Sequence, residues 1–128
     1  MRRIVSNFFI SLDGVVEAPQ EWHFPYFDDE MGRVVGAGMQ TQTAFLFGRR
    51  LYDEWSQYWP AQGPDVPFSA HINGAEKYVL THRPVEEPMW TNTTVLGDDA
   101  ASQVRSQGQR RGRHRDVRLR HHRPLAAQ

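Results

Sequence analysis

Ala44-Phe45-Leu46-Phe47-Gly48-Arg49-Arg50-Leu51-Tyr52-Asp53-Glu54-Trp55 is the stretch whose reading decides the fold. An apolar run of Ala, Phe and Leu ends at a glycine. Two arginines follow, and then a segment with helical spacing. A short buried strand that opens onto glycine and a helix start is a common way for an α/β protein to present a phosphate site. Glycine lets a ligand approach the backbone, the free N–H groups of the first helical turn point outward, and arginine supplies charge. The same spacing also serves an ordinary strand–turn–helix joint with two solvated arginines, because one Gly-Arg-Arg is a weak motif.

The flanks repeat this alternation. Upstream, Ile4 to Ser11 is rich in β-branched and aromatic residues and predicts a buried strand. It closes on the turn Ser11-Leu12-Asp13-Gly14. Val15 to Phe27 predicts a loop, with Trp22, His23, Phe24, Tyr26 and Phe27 either covering a core or lining a pocket. Asp28-Asp29-Glu30 starts a helix, because acids suit the positive end of its dipole. That helix runs to about Gln42. Gly32, Gly36 and Gly38 each weaken it by about 1 kcal/mol relative to alanine, or else let it lie close on the sheet.

Downstream, Arg50 to Tyr58 predicts a helix that Trp59-Pro60 stops. Phe68 to Asn73 is a short helical piece, and Glu76 to Thr81 a strand that His82-Arg83-Pro84 leaves. Thr91 to Val95 is a further short strand, and Asp98-Asp99 begin a helix through Val104. Strands alternating with helices predict an α/β fold around a mostly parallel central sheet with crossover helices.

Composition bounds the function. The chain has 128 residues and no cysteine, which suits one domain with one core and excludes a disulfide framework or thiolate metal site. No carboxylate pair has ligand spacing, and no metal site is expected. No apolar stretch is long enough to span a membrane and Met1-Arg2-Arg3-Ile4 leads straight into a strand pattern, so a cytoplasmic protein without membrane partners is expected. The net charge of zero hides an asymmetry: residues 1–104 carry six arginines, one lysine and fourteen acids, whereas residues 105–128 carry eight arginines and one acid. Such a basic arm is one route to nucleic-acid binding, and a small α/β module with a basic C-terminal arm is the alternative reading. The arm has no aromatic residue for stacking and no groove-reading pattern, so nucleic acid is not the expected partner.

In order and spacing, these pieces resemble the dihydrofolate reductase-like superfamily. The closest branch is the reductase domain of the bifunctional riboflavin-pathway deaminase/reductase and its stand-alone relatives. The matching residues are Phe9-Ile10-Ser11-Leu12-Asp13-Gly14, Trp22, Phe47-Gly48-Arg49-Arg50-Leu51-Tyr52-Asp53-Glu54, Trp59-Pro60, Lys77-Tyr78-Val79-Leu80-Thr81 and Trp90-Thr91-Asn92, and they span residues 3–104. The resemblance implies an NADPH-dependent reductase acting on a pteridine- or ribosylaminopyrimidine-like small molecule. It places the cofactor phosphates at Gly48, Arg49, Arg50 and Leu51, where Leu51 stands in for a customary threonine. It places the adenosine 2′-phosphate at Thr81, His82 and Arg83. Ser11 and Trp22 become substrate-side candidates, Asp13 a candidate proton donor, and a homodimer the family's common assembly.

The resemblance also bears on the end of the chain. The family continues past the Asp98 helix with an apolar strand and a Gly-Ser turn that cradles the cofactor pyrophosphate. Here residues 1–106 read as the N-terminal part of such a domain, and residues 107–128 as an arginine-rich tail with no apolar period and a composition that favours disorder. Permitted codons for Gly112 onward, read one base later, give Ala-Asp-Ile-Ala-Met-Ser-Gly-Ser-Ala-Thr-Ile-Val-Arg-Trp-Leu-Leu: an apolar strand, a Gly-Ser turn and an amphipathic helix. The tail is therefore expected to be an out-of-frame product, the fold incomplete at its C-terminus, and activity and stability impaired by the truncation.

Overall fold

The computed structural model describes residues 3–110. In chain order the regular elements are α1 (Asp29–Thr41), β1 (Ala44–Gly48), α2 (Arg49–Tyr58), α3 (Ser69–Gly74), β2 (Glu76–Leu80), β3 (Thr93–Leu96) and α4 (Ala100–Arg110). Short 3-10 turns occupy Pro19–Glu21, Phe24–Tyr26 and Trp59–Ala61. The chain divides into two units: Val5–Asp98, which holds the sheet, and a smaller one containing α4. No described helix is long and apolar enough to cross a membrane.

The three strands form one parallel sheet in the order β1-β2-β3. Phe45 and Phe47 of β1 lie in register with Lys77 and Val79 of β2. Strand side chains alternate between faces, so these four share one face. The helices cover that face. On α2, Tyr52 and Trp55 are spaced to point the same way, and Trp59 continues their stripe. The Phe47 ring lies 6.2 Å from Tyr52, 5.5 Å from Trp55 and 6.1 Å from Trp90. Phe47, Tyr52, Ile72, Val79 and Trp90 form the buried core. Each such side chain contributes about 1.5–3 kcal/mol when fully removed from water. On the opposite face Leu46 and Leu80 keep 43% and 38% of their surface exposed.

Polar groups inside this core are bonded, as burial demands. The Tyr52 hydroxyl donates to Thr93 Oγ1 at 3.1 Å and accepts from the Trp90 N–H at 3.2 Å. Asn73 accepts from Trp90 Nε1 and donates to the Trp59 carbonyl, both at 2.9 Å. Lys77 is fully buried, and its ammonium donates to the carbonyls of Asn73, Ala75 and Thr91 at 2.8–3.0 Å. It also sits 4.3 Å from the centroid of the Trp90 ring, a cation–π contact. Burial pulls its pKa down to about 8.

Two expectations are corrected. Ile4 to Ser11 forms no strand: residues 3–11 carry no regular structure, and Ile4, Val5, Phe8 and Ile10 are exposed. A strand exists only through its ladder, and β1, β2 and β3 pair with one another. The glycines of α1 do not serve a close approach to the sheet. A side chain at Gly32 would meet Phe27, one at Gly36 would meet Phe68, and one at Gly38 would meet Asn7. In the smaller unit, α4 runs past the expected Val104 to Arg110. The tail beyond, residues 111–128, lies outside the described residues.

Candidate functional site

Parallel strands all end on the same side, and here they end in register. Gly48 is paired with Leu80, and Leu80 with Leu96. The Thr81 N–H donates to the Leu96 carbonyl at 3.1 Å and closes this rim. In open α/β sheets the carboxyl ends of the strands are where ligands bind. Both groups assigned to cofactor phosphates, Gly48 to Leu51 and Thr81 to Arg83, lie on that rim.

α2 begins at Arg49, with Gly48 in the capping position and therefore no side-chain cap. A Cβ at Gly48 would meet nothing within 4 Å. The first turn is thus open to an incoming anion, which its N–H groups and dipole favour. Arg49 reaches across the rim: Nε donates to Asp53 at 2.8 Å, and Nη1 to the carbonyls of Arg83 and Pro84 at 3.1 and 2.8 Å. Arg50 points outward and is shared by Glu17 and Glu54, each at 3.1 Å. Those carboxylates, Glu17 first, hold its guanidinium above the usual arginine pKa. Leu51 is exposed and offers no hydroxyl.

On the other side of the rim, Thr81 Oγ1 accepts from the Arg83 N–H at 3.1 Å and folds the loop back on itself. His82 and Arg83 are exposed. His82 Nδ1 lies 2.9 Å from Asp98.

The N-terminal candidates form a separate group. Ser11 Oγ donates to Asp13 and accepts from the Val15 N–H at 2.9 Å, within a turn whose Gly14 has φ +90°. Asp13 and Ser11 are therefore each other's partners. Trp22 is half-buried and its Nε1 donates to the Glu17 carbonyl at 3.1 Å. His23 is buried in a nest of rings, 4.7 Å from Phe9 and 4.3 Å from Phe24. The Glu17–Arg50 pair joins this loop to the start of α2.

A cavity of about 480 Å³ lies elsewhere, lined by Phe27, Asp28, Asp29, Gly32, Arg33, Pro67 and Phe68. Only a two-residue link, Gln42–Thr43, separates α1 from β1. Ser11, Asp13 and Trp22 do not line this cavity. Asp28 and Asp29 form the expected helix start: Asp28 caps α1 by accepting from the Met31 N–H at 2.8 Å, and Asp29 opens its first turn. Nothing in that signature announces a cavity wall. Asp53 was legible as an i, i+4 partner of Arg49, and Glu17 carried no signal.

The fold and rim define a class: an open parallel α/β protein with a polar cluster at the carboxyl ends of its strands. No protein-family model matches the chain, and no curated protein matches it either.

Proposed function

We propose that the chain derives from, and retains the adenosine-side site of, an NADPH-dependent reductase of the dihydrofolate reductase-like kind, acting on a pteridine- or ribosylaminopyrimidine-like small molecule. The observation that carries this reading is the Arg49 bridge, which brings the open first turn of α2 and the Thr81–Arg83 loop to one rim. The motif resemblance supplies the family.

The residues present suit the phosphate-bearing half of that cofactor. The uncapped first turn of α2 offers N–H donors to phosphate oxygens, and Arg50, His82 and Arg83 offer exposed cationic or hydrogen-bonding groups. NADPH, when bound, supplies the hydride, and the protein's task is placement and exclusion of water. On the substrate side, Phe27, Pro67 and Phe68 provide apolar walls for a flat ring, and Asp28 and Asp29 provide acceptors for its N–H groups. Asp13, bonded to Ser11 and outside the lining of that cavity, is the proton donor that the resemblance alone suggests.

Titration of the purified 128-residue protein with NADPH, read by nicotinamide fluorescence, tests this. Saturable binding that Arg50→Ala and Arg83→Ala each weaken by about tenfold is the expected result. A folded protein that shows no saturation would remove the reductase reading for this chain.

A further inference from the structure

Arg49 stands at the rim, yet its side chain is only 17% exposed. A guanidinium captures a phosphate through paired N–H groups, Nε with Nη2 or Nη1 with Nη2. In both pairs of Arg49 one member is already committed. Nε is held by Asp53, and Nη1 by the carbonyls of Arg83 and Pro84. Two-point capture of an anion would break the Asp53 pair or release the loop backbone. Arg83 differs: its carbonyl accepts from Arg49 while its side chain is exposed, and no acid among the described residues pairs with it.

We propose that Arg49 and Asp53 are a positioning pair that fixes the Thr81–Pro84 loop, so that Arg83, carried on that loop, reads the phosphate on an adenosine ribose. The Arg83 part rests on the reductase reading, whereas the fixing of the loop stands on the contacts alone. Asp53 orients Arg49 from one turn along α2, and Arg49 clamps two consecutive carbonyls. Neither residue is a ligand. Specificity for the phosphorylated nucleotide follows from the loop they hold.

Two measurements on the full chain separate the parts. The first is hydrogen exchange without nucleotide. Arg49→Gln and Asp53→Asn should speed exchange across residues 81–86 by about tenfold, Arg49→Lys by less, and Arg83→Gln not at all. Unchanged exchange in Arg49→Gln would overturn the positioning pair. The second is calorimetric binding of adenosine 2′,5′-bisphosphate against AMP. Arg83→Gln should cut the preference for the bisphosphate by about tenfold, and Asp53→Asn should cut it partly although Asp53 touches no nucleotide. A preference that collapses in Arg49→Gln but survives both Asp53→Asn and Arg83→Gln would make Arg49 the ligand and overturn the proposal. A wild-type chain that binds neither nucleotide would remove the reductase reading and Arg83's role with it, leaving the loop clamp to stand or fall on exchange alone.

Discussion

Phe8 and Phe47 sit in two stretches of similar apolar content, yet Phe8 is 66% exposed and Phe47 2%. Their neighbours explain the difference. Around Phe47, α2 immediately follows the strand and turns Tyr52 and Trp55 back onto it, while β2 pairs with it in full register. Around Phe8 no described strand supplies a ladder. Among the described residues, Phe9 of that stretch finds ring partners in His23 and Phe27, and Phe8 finds none. Strand-forming residues are thus a permissive signal. Whether they become a strand depends on a partner that local sequence does not contain.

The strongest way to break this contrast is the same deletion in both stretches. Phe47→Ala should cost about 3–5 kcal/mol, because it empties the middle of the ring cluster. Phe8→Ala should change stability by less than about 0.5 kcal/mol. Urea unfolding of the two variants would measure both. A comparable loss at Phe8 would mean that its stretch is packed in solution.

Lys77 sharpens the contrast from inside the core, where a cation survives only within its cage of carbonyls. Below pH 8 both folded and unfolded chains hold the Lys77 proton, and pH acts little through it. Between the folded value of about 8 and the unfolded 10.5, the unfolded chain binds more protons, so stability rises with pH. The full rise is about 3 kcal/mol. Melting at pH 7.5, 9 and 10.5 should show it, and Lys77→Met should remove it, at a lower overall stability from three carbonyls left without a donor. A pH profile identical in wild type and Lys77→Met would show that the ammonium is not confined as described.

A smaller gain tests where the Phe8 stretch meets α1. Asn7 is the nearest neighbour of Gly38 on α1, 4.0 Å from where a Cβ would stand. That is ordinary contact, so Gly38→Ala should stabilise the protein by about 1 kcal/mol through helix propensity. A fall in melting temperature would mean that Asn7 packs there more tightly.

Much of the fold was legible because its signals are local. Asp28 ahead of α1 and Pro60 after α2 mark boundaries by capping and by a missing N–H, and Gly48 marks where the apolar run of β1 ends. β2 and β3 were legible through Tyr78-Val79-Leu80 and Thr93-Thr94-Val95, short runs of strand-favouring residues. The Ile4–Ser11 stretch misled because the same signals say nothing about pairing. At the site, the sequence placed cations at residues 49, 50 and 83. It did not show that Arg49 spends its donors on its own backbone, because that contact spans 34 residues. Burial of Lys77 was equally hidden: its cage is built by carbonyls of Asn73, Ala75 and Thr91, and carbonyls carry no residue identity.

The flush ending of the three strands at Gly48, Leu80 and Leu96 sets which insertions and deletions the chain can absorb. One residue added inside β2 would turn every side chain on one side of it to the opposite face and take Lys77 or Val79 out of the core. One residue added between the exposed Glu86 and Glu87 lengthens a connection that already runs through solvent. Doubling such a loop costs about 0.6 kcal/mol in closure entropy. Length variation should therefore be confined to the connections beyond the rim, where it can reshape the mouth of the site without moving the strands beneath.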